Sequence, residues 1–279
     1  MSTPMPPPPK KVVRFYGNAD FALETVALNE ITFIHSDKFN DPFDPNYTVK
    51  NEFSDHAELA NWVKKHHPDF LDYFLKHFPA SNNLNTVNEK VTKEIKKLFK
   101  NTYIFSTCKP MTKYPDRTYM WGHYGNGHRG VAIEFDLEKL QQLSWKGKRG
   151  DFLTQEMEYH DNSPKISCEE YFEFMMFKTK HPAFTERKIM EKLNKVFSWK
   201  HKDWELENEY RLMWRNDKTN LSFIRKPLMP ATITSIYLGC RIDKKLAQKF
   251  EKEIRNKHPN ANLYAARQNV DKLEFERIK

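Results

Sequence analysis

In Trp204–Arg215, WELENEYRLMWR, three glutamates stand at alternate positions, Glu205, Glu207 and Glu209. If the segment is extended, all three carboxylates leave on one face, and like charges at that spacing repel unless a cation or a ligand lies opposite. Two readings are open. On a solvent-facing strand edge the repulsion is screened and the residues are passive. In a cleft, Glu207 and Glu209 form a carboxylate pair of the kind that moves protons or stabilises a developing cation.

A second stretch, Thr118–Asp136, reads TYMWGHYGNGHRGVAIEFD and holds four of the chain's 8 glycines between Gly122 and Gly130. Such glycines let a backbone turn sharply and let another group approach it. Arg129 and the imidazoles of His123 and His128 make the turn polar and partly cationic. The two histidines are five residues apart with no third ligand nearby, so a hydrogen-bonded loop with Trp121 plugging the core is expected and a metal is not. Neither GxGxxG nor Walker spacing is present, which excludes a phosphate loop of those types. Asp41, Asp44 and Asn46, in DKFNDPFDPN, do not follow the spacing of a calcium loop and read as an Asx-Pro turn.

Elements must position these residues, and the composition permits a sizeable core to carry them. The chain has 279 residues, 39% of them hydrophobic and 14% aromatic, which argues for a folded protein. Its mean hydropathy of -0.81 describes a well-solvated surface. No apolar run reaches the roughly 20 residues of a membrane span, and MSTPMPPPPKK lacks the apolar core of a secretory signal, so a cytoplasmic protein with no membrane partner is expected. Cys108, Cys168 and Cys240 have neither disulfide-framework nor zinc-site spacing. The net charge of +9 favours anionic partners, although the basic residues are interspersed with 37 acidic ones.

Residues 1–10 read as a disordered proline-rich tail, and 11–279 as a single α+β domain with a central, mostly antiparallel sheet. A strand at VVRFY leads into a helix capped by Asn18, and EITFIHS alternates as a strand. Residues 54–100 form a helical insertion broken at Pro68 and at PASNNLN, and 168–200 has helical spacing broken at His181-Pro182. Strands are expected at TYIFSTC, GVAIEFD, DFLTQEMEYH, EYRLMWR, LSFIR and ITSIYLG. A helix from Asp243 to Lys257 and a closing strand pair complete the chain.

FNDPFD after a strand, then MWGHYGNGHRGVAIEFD, then WELENEYRL followed by ITSIYLGCRI, resemble in order and separation the bacterial family of unknown function numbered twenty-nine seventy-one. A weaker likeness is to ADP-ribosyltransferases of the arginine–serine–glutamate type. Arg14 in VVRFY, Ser106-Thr107 in FST and Glu207-Asn208-Glu209 stand in that family's order, although FST lacks the leading serine of the usual element. That resemblance implies an enzyme that consumes NAD or transfers ADP-ribose to a protein or nucleic-acid acceptor, with the biology of a defence or toxin-type effector. It implies catalytic roles for Glu209, Glu207 and Ser106, NAD as substrate and no metal. Arg14 would clamp the pyrophosphate, with His123 and Tyr124 beside the nicotinamide.

Two other classes stay open. A non-catalytic basic module that binds nucleic acid fits the net charge and the aromatics interleaved with Lys and Arg over 109–129. A phosphodiesterase effector would need clustered acidic metal ligands, for which only Asp41 and Asp44 are candidates.

Overall fold

Burial along each strand already ranks its place in the sheet. Thr102–Cys108 and Val131–Asp136 are buried on both faces, whereas Glu30–His35 and Phe223–Pro227 alternate between buried and less buried positions. The former belong in the middle and the latter near an edge. The computed structural model, which describes residues 9–39, 47–99, 102–110, 112–145, 148–149, 152–180, 194–215 and 221–279, bears this out. The proline-rich tail up to residue 8, the Asp41–Asn46 turn and the His181-Pro182 break lie outside the described residues.

Ten strands form one sheet: β1 (Lys11–Tyr16), β2 (Glu30–His35), β3 (Thr102–Cys108), β4 (Val131–Asp136), β5 (Phe152–Glu156), β6 (Glu209–Arg215), β7 (Phe223–Pro227), β8 (Ile233–Leu238), β9 (Asn262–Gln268) and β10 (Leu273–Arg277). The path is β7-β2-β3-β1-β4-β8-β9-β10, with β6 on β3 and β5 on β6. Within this sheet, among the described residues, only β8 and β9 run parallel. Helix α6 (Lys244–Lys257), capped by Asp243, connects them. This is the α+β fold with a mostly antiparallel sheet that the strand pattern predicts. Helix α1 (Ala19–Leu28) begins where the Asn18 side chain accepts the Asp20 amide at 2.9 Å and ends at Asn29, φ 55°. Residues 56–99 hold α2 (His56–His66), α3 (Leu71–His77) and α4 (Leu84–Phe99). No helix among the described residues is long and apolar enough to cross a membrane.

The period of two sorts β3 and β6 between two cores. Phe105 and Leu212, opposite each other, face α1 and α6 with Val26 and Phe250. Their neighbours Ile104 and Met213 face the other way, under Leu59, Phe74, Val91 and Phe172 from the helical segments. Farther along that second face, Cys108 and Val13 join Trp121, Ala132 and Tyr237. Between these two patches lie Ser106 and its register partner Arg211. There the sheet opens into a cleft lined by both residues, with the Phe39 ring 5.3 Å from the Arg211 guanidinium.

One edge of β3 is paired with β6 along its whole length. The other is shared: β2 takes Tyr103 and Ile104, and β1 takes Cys108. Phe105–Thr107 lies where β1 and β2 part.

The glycine-rich turn answers to close packing. Its start forms α5 (Thr118–His123), with Trp121 fully buried and its indole N–H donating to the Pro115 carbonyl at 2.6 Å. A Cβ on Gly130 would lie 2.2 Å from the Tyr16 carbonyl oxygen of β1, a backbone atom that cannot step aside. Asn126, Gly127 and His128, at φ 50°, 58° and 70°, are successive left-handed residues that reverse the chain, and only Gly127 adopts this without a Cβ. Gly130→Ala is therefore expected to destabilise the protein by about 3 kcal/mol, the upper end of ordinary overpacking, measured by denaturant unfolding.

Candidate functional site

Two of the glutamates do meet, though not by strand alternation. Lys202–Glu207 is a 3₁₀ turn, opened by the His201 ring accepting the Asp203 amide, and Asn208 follows in the left-handed conformation at φ 48°. Only Glu209 lies in the strand. The alternation over WELENE is thus corrected: Glu205 is exposed, while the turn swings Glu207 inward beside Glu209, and both are buried. A burial of two carboxylates side by side requires cations, and the passive solvent-facing edge does not describe this place.

Lys200 supplies one cation. It sits on the short strand Trp199–His201, which pairs in parallel with Glu158–His160. Its Nζ lies 2.5 Å from Glu207 Oε2 and 2.8 Å from Glu209 Oε2, with its side chain only 8% exposed. Arg211, two residues beyond Glu209 and therefore on the same face, donates from Nε to Oε1 at 2.7 Å and from a terminal nitrogen to Oε2 at 3.0 Å. The Tyr124 hydroxyl donates to Glu207 Oε1. The Glu209 amide donates to the Tyr159 hydroxyl at 2.7 Å.

This arrangement drives the two carboxyls apart. Burial alone raises Glu209, but the Arg211 guanidinium and the Lys200 ammonium outweigh it and hold the group well below the usual carboxylate range. For Glu207 burial is the largest influence and Glu209 adds to it, so its affinity for a proton is raised in spite of Lys200. One carboxylate is thereby kept ionised and its neighbour is poised to take a proton. Lys200 is raised because the two carboxylates outweigh the opposing effect of burial. Burial pushes the Cys108 thiol up to about 12, which makes it inert as a nucleophile.

Arg14 reaches the same place from β1. Its guanidinium reaches the parting between β1 and β2, where Nη1 donates to the Ser106 carbonyl at 2.9 Å. The guanidinium lies 4.7 Å from the centre of the Phe105 ring and 5.3 Å from that of Tyr16. Burial lowers its pKa, with Tyr16 and then Glu209 opposing, yet arginine remains charged.

Arg14, Ser106, Tyr124, Glu207 and Glu209 line one cleft of about 230 Å³, together with Lys200, Arg211 and Trp204. His123 does not line it. On α5, Met120 and Tyr124 are four residues apart and share the inward face, whereas His123 stacks outward on Tyr119 at 5.7 Å and lies 5.9 Å from the Trp204 ring. His123 thus stands beside the cleft, edge-on to Tyr124 at 4.7 Å. His128 is farther off, stacked on Trp121 at 6.2 Å. Lys200 and Arg211 were not among the sequence candidates. Arg211 had a signal, the two-residue offset from Glu209, but Lys200 had none, since its apposition depends on a parallel pairing with a distant segment.

Comparison with known families matches residues 120–212, a third of the chain, to the model of a protein of unknown function, DUF2971. The resemblance to that family therefore holds over a segment running from α5 to β6, which includes Tyr124, Lys200, Glu207, Glu209 and Arg211. Arg14 and Ser106 lie outside it. No curated protein and no solved structure matches the chain.

Proposed function

We propose that the cleft binds NAD and transfers its ADP-ribose to a protein or nucleic-acid acceptor. The observation that carries the reading is the meeting of a buried carboxylate pair with Arg14 in one cleft, where Lys200, Arg211 and Arg14 together exceed the carboxylates in charge. Excess positive charge suits an anionic substrate, while a fixed carboxylate suits a reaction that develops positive charge.

When the bond between nicotinamide and ribose breaks, its electron pair leaves with the nicotinamide nitrogen, and the ribose carbon becomes oxocarbenium-like. Glu209, held ionised, faces that charge as the carboxylates of glycoside hydrolysis do. The acceptor then bonds to the ribose carbon, and its proton passes to Glu207, whose raised proton affinity suits a general base. Tyr124 orients Glu207 through its hydroxyl. Arg14 offers a planar donor set to a pyrophosphate. Ser106, beside Arg211, contributes a hydroxyl for the nicotinamide ribose.

The test is incubation of the purified protein with NAD labelled in its adenylate half, in the presence of cell extract. Release of nicotinamide and transfer of label to macromolecules are expected. If the protein neither releases nicotinamide nor transfers label, the enzymatic reading is overturned. Salt-dependent retention of RNA or DNA then becomes the measurement that decides for a basic binding module.

A further inference from the structure

A second cavity, of about 290 Å³, lies between α1, β2 and β7. It touches the cleft: Arg14 and Ile34 line both. The contact falls where β1 and β2 part along β3, and the Arg14 guanidinium stands in that gap. The cavity's surroundings are unusual for a solvated surface. Phe21 and Phe223 are 62% and 52% exposed, and Leu28 is 51% exposed, yet all three line this one hollow. Its polar boundary holds the ion pair of Arg225 with Glu24, 2.7 Å apart, and, near the start of β2, the carboxylate of Glu30. That pair is already matched and adds no net charge to the hollow.

The order along this path is carboxylate pair, arginine, aromatic hollow. A ligand that fills it has a group that becomes cationic at one end, an anion in the middle and a flat apolar ring at the other. From this we infer that the second cavity seats the adenosine half of the dinucleotide, with its ring against Phe21 and Phe223 and its phosphates at Arg14. The inference rests on the proposed reading of the cleft, since it carries the same ligand past Arg14, which lines both cavities. It makes Phe21 and Phe223 determinants of affinity with no part in bond breaking.

ADP is the direct probe, because it carries the adenosine and the phosphates and lacks everything that Glu207 and Glu209 would act on. Calorimetric titration of the full chain with ADP should show binding, and Phe223→Ala and Phe21→Ala should each weaken it about tenfold, the size of a lost base–aromatic stack. Both side chains are largely exposed, so the variants should stay folded, as circular dichroism would verify. Arg14→Met should abolish binding. If ADP does not bind, or if both phenylalanine variants bind it as the wild type does, the assignment is wrong. Failure of NAD turnover with ADP binding intact and sensitive to Phe223 would overturn the activity alone and leave this cavity an adenine-nucleotide site.

Discussion

Replacing Lys200 with methionine lowers the free energy of unfolding by about 3–5 kcal/mol at neutral pH, the cost of leaving buried charge without its partner. Among the described residues the ammonium is the one group that touches both carboxylates, and its removal leaves Glu207 with the Tyr124 hydroxyl. The penalty should depend on pH in a direction fixed by the two acids. In the wild type, Glu209 is depressed, so the stability it contributes is present above the ordinary glutamate value of about 4.3 and is lost only as pH falls through its lower folded value. Without Lys200 both carboxyls titrate higher than before. A carboxyl raised above its unfolded value binds its proton more tightly in the folded state, so the variant recovers stability as pH falls. Urea unfolding of wild type and Lys200→Met at pH 8 and pH 5 checks this: the difference should shrink at the lower pH. A penalty that is small, or equal at both values, would mean that the carboxylates do not depend on Lys200.

Glu209→Gln is expected to reduce nicotinamide release by on the order of 100-fold or more, because the amide keeps the shape and removes the charge that faces the developing cation. It cannot be a silent change to the fold. Both oxygens of Glu209 accept from cations, Arg211 on one side and Lys200 with Arg211 on the other, and a glutamine leaves those buried charges partly uncompensated. Rates must therefore be divided by the folded fraction, determined by circular dichroism under the assay conditions. Glu207→Gln gives an independent arm. It removes the proposed base while Glu209 keeps its Arg211 partner, and it should slow transfer to the acceptor more than it disturbs stability. Full activity per folded molecule in Glu209→Gln would remove Glu209 from the chemistry.

The local structure was legible in the residues. Alternation identified β2, apolar runs identified β3 and β4, LSFIR and ITSIYLG were legible as strands, and Asn18 and Asp243 marked helix starts, because strand period and capping act over a few neighbouring residues. The burial of Trp121 and the close packing at Gly130 follow from composition in the same sense, since a turn so rich in glycine is a turn that something approaches. The carboxylate pair was also legible, but its geometry was not. Local alternation implied an extended Glu205–Glu209, whereas the 3₁₀ turn and the left-handed Asn208 bring in Glu207 and leave Glu205 in solvent. Tyr124 lines the cleft and His123 does not, because neighbours in sequence point a third of a turn apart once α5 forms. What only the tertiary structure decided is which cations answer the buried acids. Lys200 arrives on a strand paired with Glu158–His160, and Arg14 arrives from the far end of the chain into a gap that exists because β1 and β2 share one edge of β3. Charges attract at a few ångströms in space whatever their separation in sequence, so the chain could display both acids openly and still conceal the groups that make their burial affordable.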